Sequence, residues 1–261
     1  MFSEYHEFRA QLLDKLDELY NLLEEAKINT DLEKISKLTK IVEDDNIIIT
    51  VIGEFNRGKS TLLNVMIKED ILPTGILPTT STINQIKFGE NRKILIHQKN
   101  NEIFEIPFNK EHIMKFSEKQ IYDNNLIDYV EIFLQIEFLK KGIILVDTPG
   151  VNDINEQRME VTYQYIPNSD IVLFVLDATT PLKKTEAEFL KEHVLSSSIE
   201  NIVFLLNRID LLDKDEIVES VDTVIMTMQQ LFSNINIKEN IFTVSTKNKL
   251  KSILKNNIYS K

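Results

Sequence analysis

Over the first forty-odd residues, apolar side chains recur at steps of three and four: Phe2, Tyr5, Phe8, Leu12, Leu16, Leu19, Leu23 and Ala26, then Leu32, Ile35, Leu38 and Ile41. Charged residues fill the gaps, so each run lines one face of a helix. The spacing predicts a helix over 2–26. The stretch "INTDLEK" breaks it and starts a second that runs to about Asp44, with Thr30 as its cap and Glu33 three residues on. A seam this regular suits neighbouring helices better than a flat sheet. Residues 1–44 therefore read as half of a helical bundle, the plainer alternative being an extension packed on its own domain.

From Asn46 the period changes. "IIITVI" (47–52) is short, wholly apolar and rich in β-branched residues, the pattern of a strand covered on both faces. Similar runs occur at 142–147, 171–177, 202–207 and 241–245, with helical periodicity at 184–195 and 215–232. This alternation predicts a mostly parallel sheet with helices on both faces. Residues 129–138 alternate strictly and lead through "LKKG" into 142–147, which predicts an antiparallel hairpin between those two strands. Short strands and a helix near 110–118 make 82–128 an insertion decorating the sheet of a single domain, 45–261.

Composition narrows the class. Of 261 residues, 43% are hydrophobic and 27% charged, ordinary for a globular chain. Cysteine is absent, which removes disulfides and thiolate metal sites and fits a cytoplasmic setting. The N-terminus lacks the basic-then-apolar order of a signal peptide, and no apolar run reaches membrane-span length. A net charge of −11 argues against broad nucleic-acid binding and against direct attraction to anionic membranes. His6, His97, His112 and His193 show no ligand spacing and are expected at the surface. The acidic run 43–45 reads as a solvated helix end.

The chemistry lies at the ends of the apolar runs. "GEFNRGKST" (53–61) follows the first of them and opens a helix, which is the context that makes G-x-x-x-x-G-K-[ST] a phosphate loop. Its glycines, Gly53 and Gly58, let backbone N–H groups around Asn56, Arg57 and Thr61 curl about phosphate oxygens, aided by a helix N-terminus. Lys59 would reach the β- and γ-phosphates, and Ser60 would ligate Mg²⁺. "DTPG" ends 142–147, with Asp147 set to hold Mg²⁺ through water and the Gly150 amide to meet the γ-phosphate. "NRID" ends 202–207. Asp210 can accept from N1 and N2 of guanine, Asn207 can brace the loop, and the stem of Arg208 can cover the ring. "STK" (Ser245, Thr246, Lys247) would bring its backbone to the guanine carbonyl edge. Four such segments at strand C-terminal ends, where ligands bind in these sheets, predict a GTP site. A switch threonine is expected in 71–89: Thr79, Thr80 and Thr82 all qualify, Thr74 less well.

Together "GEFNRGKSTLLN", "LPTGILPTTS", "DTPGVND", "DATTPLKKTEAEFL" and "NRID" resemble the bacterial dynamin-like proteins, and more distantly the mitofusins, over about residues 45–250. The resemblance implies a Ras-like P-loop core inside an enlarged sheet, and first helices that pack with helices returning after the GTPase domain. It makes Thr80 the switch threonine, with Thr79 in reserve. It places membrane remodelling, peripheral to the inner face of a membrane, with a stalk and tip outside the 261 residues, so that membrane contact by this portion is indirect.

After DTPG, the Ras-type switch carries a glutamine that orients the attacking water. Here Val151 occupies that place. Dynamin-like proteins share this lack, and the resemblance implies hydrolysis by two GTPase domains paired across their nucleotides. The positions matching dynamin's phosphate-loop Gln-Ser pair are Phe55 and Asn56. Asn56 could bridge to the leaving oxygen, and Arg57 is a candidate internal arginine finger, its alternative being a solvated or interface arginine. Rival readings are a GTP-dependent interaction module with negligible turnover and a monomeric regulatory GTPase.

Overall fold

The computed structural model describes residues 2–74, 82–117, 126–151, 162–163, 165–196, 201–231 and 238–259. It divides into two compact units, Met1–Asn46 and Ile47–Lys261.

The first unit is a helical hairpin, α1 (Phe2–Glu25) packed on α2 (Asn29–Asp44). Arg9 on α1 closes the far end of α2, its Nε donating to the Val42 carbonyl at 2.8 Å. The acidic run thus ends at a helix terminus capped by an arginine, with Asp45 in the left-handed region (φ 49°). α2 begins at Asn29, two residues earlier than a Thr30 cap would start it, so its N-cap is Ile28, with no side-chain cap hydrogen bond. Two helices share only one seam, so part of the apolar stripe stays open. Phe8 is 64% exposed and Ile41 68%.

The second unit is built on a nine-stranded sheet. Its strands are β1 (Ile47–Ile52), β2 (Ile83–Phe88), β3 (Lys93–Gln98), β4 (Ile103–Pro107), β5 (Ile127–Leu134), β6 (Ile143–Asp147), β7 (Ile171–Asp177), β8 (Asn201–Asn207) and β9 (Ile241–Val244). They lie in the order β4-β3-β5-β2-β6-β1-β7-β8-β9. The five apolar runs recognised in the sequence form the parallel half, β6-β1-β7-β8-β9. The expected hairpin between 129–138 and 142–147 does not form. β2 inserts between them, antiparallel to β6 and parallel to β5. Alternation fixes which face a strand buries but not its neighbour, and the segment before β5 supplies a better-matched partner in β2. The 82–128 insertion therefore widens the sheet itself.

Successive residues of β1 serve opposite cores. Val51 packs with Leu62, Leu63 and Ile67 of α3 (Lys59–Ile67). Ile52 packs on the other face with Phe174 and Phe189 and with Val224 and Met228 of α6 (Lys214–Leu231). Phe189 ends α5 (Lys184–Phe189), which runs on as a π-turn over Leu190–Val194. The helix α4 (Lys110–Ser117) follows β4, and α7 (Thr246–Tyr259), which period alone did not reveal, lies against α3. His97 and His193 are also less solvated than expected. His97 stacks on Tyr129 at 4.1 Å and meets Glu131 at 2.8 Å, while His193 stacks on Tyr163 at 3.8 Å. Among the described residues no helix is long and apolar enough to cross a membrane.

Phe174 is fully buried between Phe189 and Phe204, its ring 6.2 and 5.9 Å from theirs. Phe174→Ala is expected to lower unfolding free energy by about 3–5 kcal/mol. Val218→Ala, at an exposed position of α6, should stay within about 0.5 kcal/mol of the parent. Denaturant midpoints of the two variants check this.

Candidate functional site

The loops leaving β1, β6, β7, β8 and β9 all lie at the C-terminal edge of the parallel half. The phosphate-loop segment turns sharply there because Gly53 comes so close to β7 that a Cβ would lie 2.4 Å from the Val175 carbonyl oxygen. Lys59 folds back over the loop, donating to the carbonyls of Gly53 (2.9 Å) and Glu54 (3.1 Å). Ser60 Oγ donates to Asp147 Oδ2 at 3.0 Å, so the two oxygens expected to face a cation already meet. Asn84, directly opposite Asp147 in the β2–β6 pairing, is buried, and its Nδ2 has no hydrogen-bond partner among the described residues.

The DTPG segment continues alongside the phosphate loop. Thr148 Oγ1 donates to the Val51 carbonyl at 2.8 Å, and the Val151 amide donates to that of Gly53 at 3.2 Å. Gly150 rests on the loop backbone, where a Cβ would be 2.8 Å from Phe55 Cα. Val151 itself is 0% exposed and belongs to the core of Ile52 and Phe174. It is a packing residue, turned away from any water in the cavity.

Asn207 ties three segments together. Its Nδ2 donates to the Arg57 carbonyl at 2.8 Å, and its Oδ1 accepts from the Thr246 amide and hydroxyl, both at 3.1 Å. That reach needs Gly58, since a Cβ there would lie 2.4 Å from Asn207 Nδ2. Asp210 Oδ1 accepts from Ser245 Oγ at 2.5 Å, joining the β8 and β9 loops. Between them opens a cavity of about 530 Å³, lined by Asn56, Gly58, Thr61, Arg208, Asp210 and Lys247 among others. Thr74 also lines it, whereas Thr82 is buried at the start of β2. Thr79 and Thr80 lie outside the described residues.

Arg57 is not the solvated arginine that was one of its expected alternatives. It is 5% exposed and surrounded by acids. Its Nε donates to Glu186 Oε1 (2.8 Å), its Nη2 to Glu54 Oε2 (2.8 Å) and its Nη1 to Thr180 Oγ1 (3.3 Å), with Asp177 Oδ2 also 3.3 Å from Nη1. Arg208 is likewise held by its head: Nη1 donates to Asp177 Oδ2 (2.7 Å) and Nη2 to the Asn56 carbonyl and, at 3.0 Å, to Asn56 Oδ1. Burial pushes the Glu186 carboxyl above its ordinary range, against the pull of the Arg57 charge. At Asp177 burial also works upward, but hydrogen bonds from Thr179 and then the Arg208 and Arg57 charges outweigh it and hold the carboxyl low. Glu54, Asp177, Thr180 and Glu186 were missed by motif reading. The one available signal was the Glu-x-x-Arg spacing inside the phosphate loop.

This arrangement, a phosphate loop between a central strand and a helix with recognition loops at neighbouring strand ends, defines a P-loop nucleotide-binding protein. The Dynamin family is matched over residues 49–209, and the chain belongs to that family. Among curated relatives, an uncharacterized protein of Caldicellulosiruptor is 32% identical over 239 residues, spanning 90% of this chain and 58% of that protein. The bacterial dynamin-like protein of Nostoc punctiforme is 29% identical over 252 residues, 87% of this chain and 36% of that protein. A solved structure, described as an oligomerised bacterial dynamin pair for long-range sensing and tethering of membranes, shares the fold with a TM-score of 0.65 and 23% identity. It covers 94% of this chain and 40% of its own. The chain thus spans between about a third and three fifths of the length of these relatives.

Placing Gln at position 151 would bury an amide in an apolar core. Val151→Gln is expected to cost about 1–3 kcal/mol of stability, measured as a lowered denaturant midpoint, with no gain in nucleotide turnover by the isolated chain.

Proposed function

We propose that this chain is the GTP-binding and GTP-hydrolysing domain of a dynamin-like protein, Mg²⁺-dependent and activated when two copies pair across their nucleotides. The observation that carries the reading is the convergence of the phosphate loop, NRID and STK on one cavity, with DTPG joined to the phosphate loop through Asp147 and Ser60. In this reading the amides of Gly58 to Thr61 take the phosphates and Lys59 exchanges its two carbonyl partners for β- and γ-oxygens. Asp210 accepts from guanine N1 and N2, and Asn207 braces the loops. Ser245, Thr246 and Lys247 present backbone to the carbonyl edge, and the Gly150 amide meets the γ-phosphate.

The Ser60–Asp147 pair fits a hard cation, since both supply oxygen and both lie beside the phosphate loop. The Asn84 amide across from Asp147, without a partner among the described residues, is a buried donor of the kind that a hydrated ion's water would satisfy. Mg²⁺, when bound with Thr80 as the switch ligand, supplies neutralisation of the β- and γ-phosphate charge. Water attacks the γ-phosphorus, the bond to the β-bridging oxygen breaks, and GDP leaves with phosphate released.

With Val151 committed to the core, its side chain cannot hold the attacking water. Pairing of two chains supports catalysis by excluding bulk water and fixing the switch around Thr80, with Asn56, exposed at the loop's tip, able to reach the leaving oxygen. The partly exposed seam of α1 and α2 supports its role as half of a bundle completed by further helices of a longer protein, through which membrane remodelling would be delivered. The buried Val151 and the apolar Phe55 also favour a second reading, a GTP-gated interaction module with negligible turnover. Phosphate release at high protein concentration separates the two.

Asp210→Asn exchanges an acceptor-only group for an amide that can also donate. The variant is expected to lose affinity for GTP and gain it for xanthosine triphosphate, read by calorimetry. Equal affinity of the parent for ATP and GTP would remove the guanine assignment.

Specific activity is expected to rise with protein concentration, with dimers by light scattering in a GDP–fluoride transition-state mimic and monomers in GDP. Activity that stays flat over a hundred-fold concentration range, with no dimer, would overturn pairing while leaving GTP binding in place.

A further inference from the structure

We propose that Arg57 is a positioning residue and not a catalytic one: with Glu54, Asp177 and Glu186 it forms a buried ionic clasp that holds the phosphate loop in its nucleotide-binding shape and couples it to the guanine-recognition loop. The inference rests on the guanine-nucleotide reading of the cavity.

Every nitrogen of the guanidinium is engaged, and each by a different element. Glu54 belongs to the phosphate loop itself, Asp177 ends β7, Thr180 lies in the turn beyond it, and Glu186 stands in the first turn of α5. The planar fork of arginine suits such simultaneous contacts, which the point charge of lysine cannot reproduce. The acids are themselves fixed. Glu186 Oε2 accepts from the Lys183 amide at 2.9 Å, and Glu54 Oε1 accepts from Thr185 Oγ1 at 2.6 Å.

The charges balance within the cluster. Arg57, Arg208 and Lys183 face Glu54, Asp177 and Glu186, with Lys183 Nζ 3.5 Å from Glu54 Oε2. Swinging Arg57 toward a γ-phosphate would strand three buried or nearly buried carboxylates with two cations that are far more exposed than Arg57. A buried carboxylate that loses its partner is strongly unfavourable. Arg57 is therefore committed to its acids.

Backbone geometry shows what the clasp holds. Asn56 and Gly58, on either side of Arg57, are both left-handed, with φ 61° and 92°. Alternating conformations of this kind curl successive amides toward one side, the concavity that takes an anion. For Asn56 this conformation is uphill and persists only if its surroundings impose it. Arg57 is gripped on both sides of its own backbone: its side chain by the clasp, its carbonyl by Asn207. Arg208 closes the circuit, holding Asp177 with one nitrogen and Asn56 with another, while the Ala178 amide donates to the Asn207 carbonyl at 2.9 Å. The phosphate loop and the base loop thus share the turn after β7 as a common anchor. Glu186 does not line the nucleotide cavity, so any effect it has on binding passes through that anchor.

The test is equilibrium titration of the parent, Arg57→Met, Arg57→Lys and Glu186→Gln with fluorescent GDP and a non-hydrolysable fluorescent GTP analogue. Arg57→Met and Glu186→Gln should each weaken both ligands in parallel, by about tenfold to a hundredfold, as expected when binding groups shift by about an ångström. Arg57→Lys should recover only part of the loss. The double variant Arg57→Met/Glu186→Gln should bind no worse than the weaker single, because both changes open one clasp. An arginine finger gives a different pattern: Arg57→Met binds GDP and the analogue like the parent and loses kcat alone, and Glu186→Gln is unaffected. That pattern, or parental GDP affinity in either single variant, overturns the proposal. If a single variant is too unstable to titrate, Arg57→Met/Glu186→Leu removes both charges and fills the space with apolar groups, a replacement that buried ion pairs tolerate. Parental affinity in that variant overturns the proposal equally. Failure of the parent to bind either nucleotide would instead remove the nucleotide reading, and shows in the unmodified protein.

Discussion

A positive charge buried beside the phosphate loop constrains this molecule more than any other single feature. Arg57 sits among Glu54, Asp177 and Glu186 with almost no access to water. Burial of four ionisable groups is tolerable only with near-complete pairing, and the pairing spans the phosphate loop, the end of β7 and α5. The loops that must stay put around a nucleotide are thereby fastened at a point outside the cavity. They need not be held by the ligand, and their exposed faces remain available to it.

The sheet explains why so few bonds suffice. Its parallel half delivers five strand ends to one edge, the inner four anchored by apolar runs packed in the core and β9 closing the edge. A loop that leaves such a strand starts from a fixed point, and one or two polar contacts then define its path. Asn207 does this for three loops with one amide side chain, and the absence of a Cβ at Gly58 is what lets it approach. Val151 marks the limit of this economy. It belongs to the sheet's core, through a bridge to Glu54 beside the phosphate loop, and leaves the water to be handled from elsewhere. Under the proposed function, that task falls to the pairing of two copies of the chain.

Much of this was legible in the chain. The phosphate loop, DTPG, NRID and STK could be recognised because each follows a short, mostly apolar run rich in β-branched residues, a composition that suits a strand of such a sheet. The helical hairpin was legible for a similar reason, a period of three and four sustained over forty residues. α7 was not, because its apolar positions are sparse and its main helix contact is with α3.

Tertiary structure decided the rest. The partner of β5 could not be read from alternation, which specifies a buried face and is silent on the neighbour, and β2 took the place expected for it. The fate of Arg57 was also beyond local reading. Glu186 lies 129 positions away, and only the crossover from β7 to α5 brings it to the phosphate loop. Local sequence announces chemistry where contiguous residues perform it, as in a loop that wraps a phosphate. Where a charge is neutralised by residues from distant elements, the topology of the sheet determines which acid it meets.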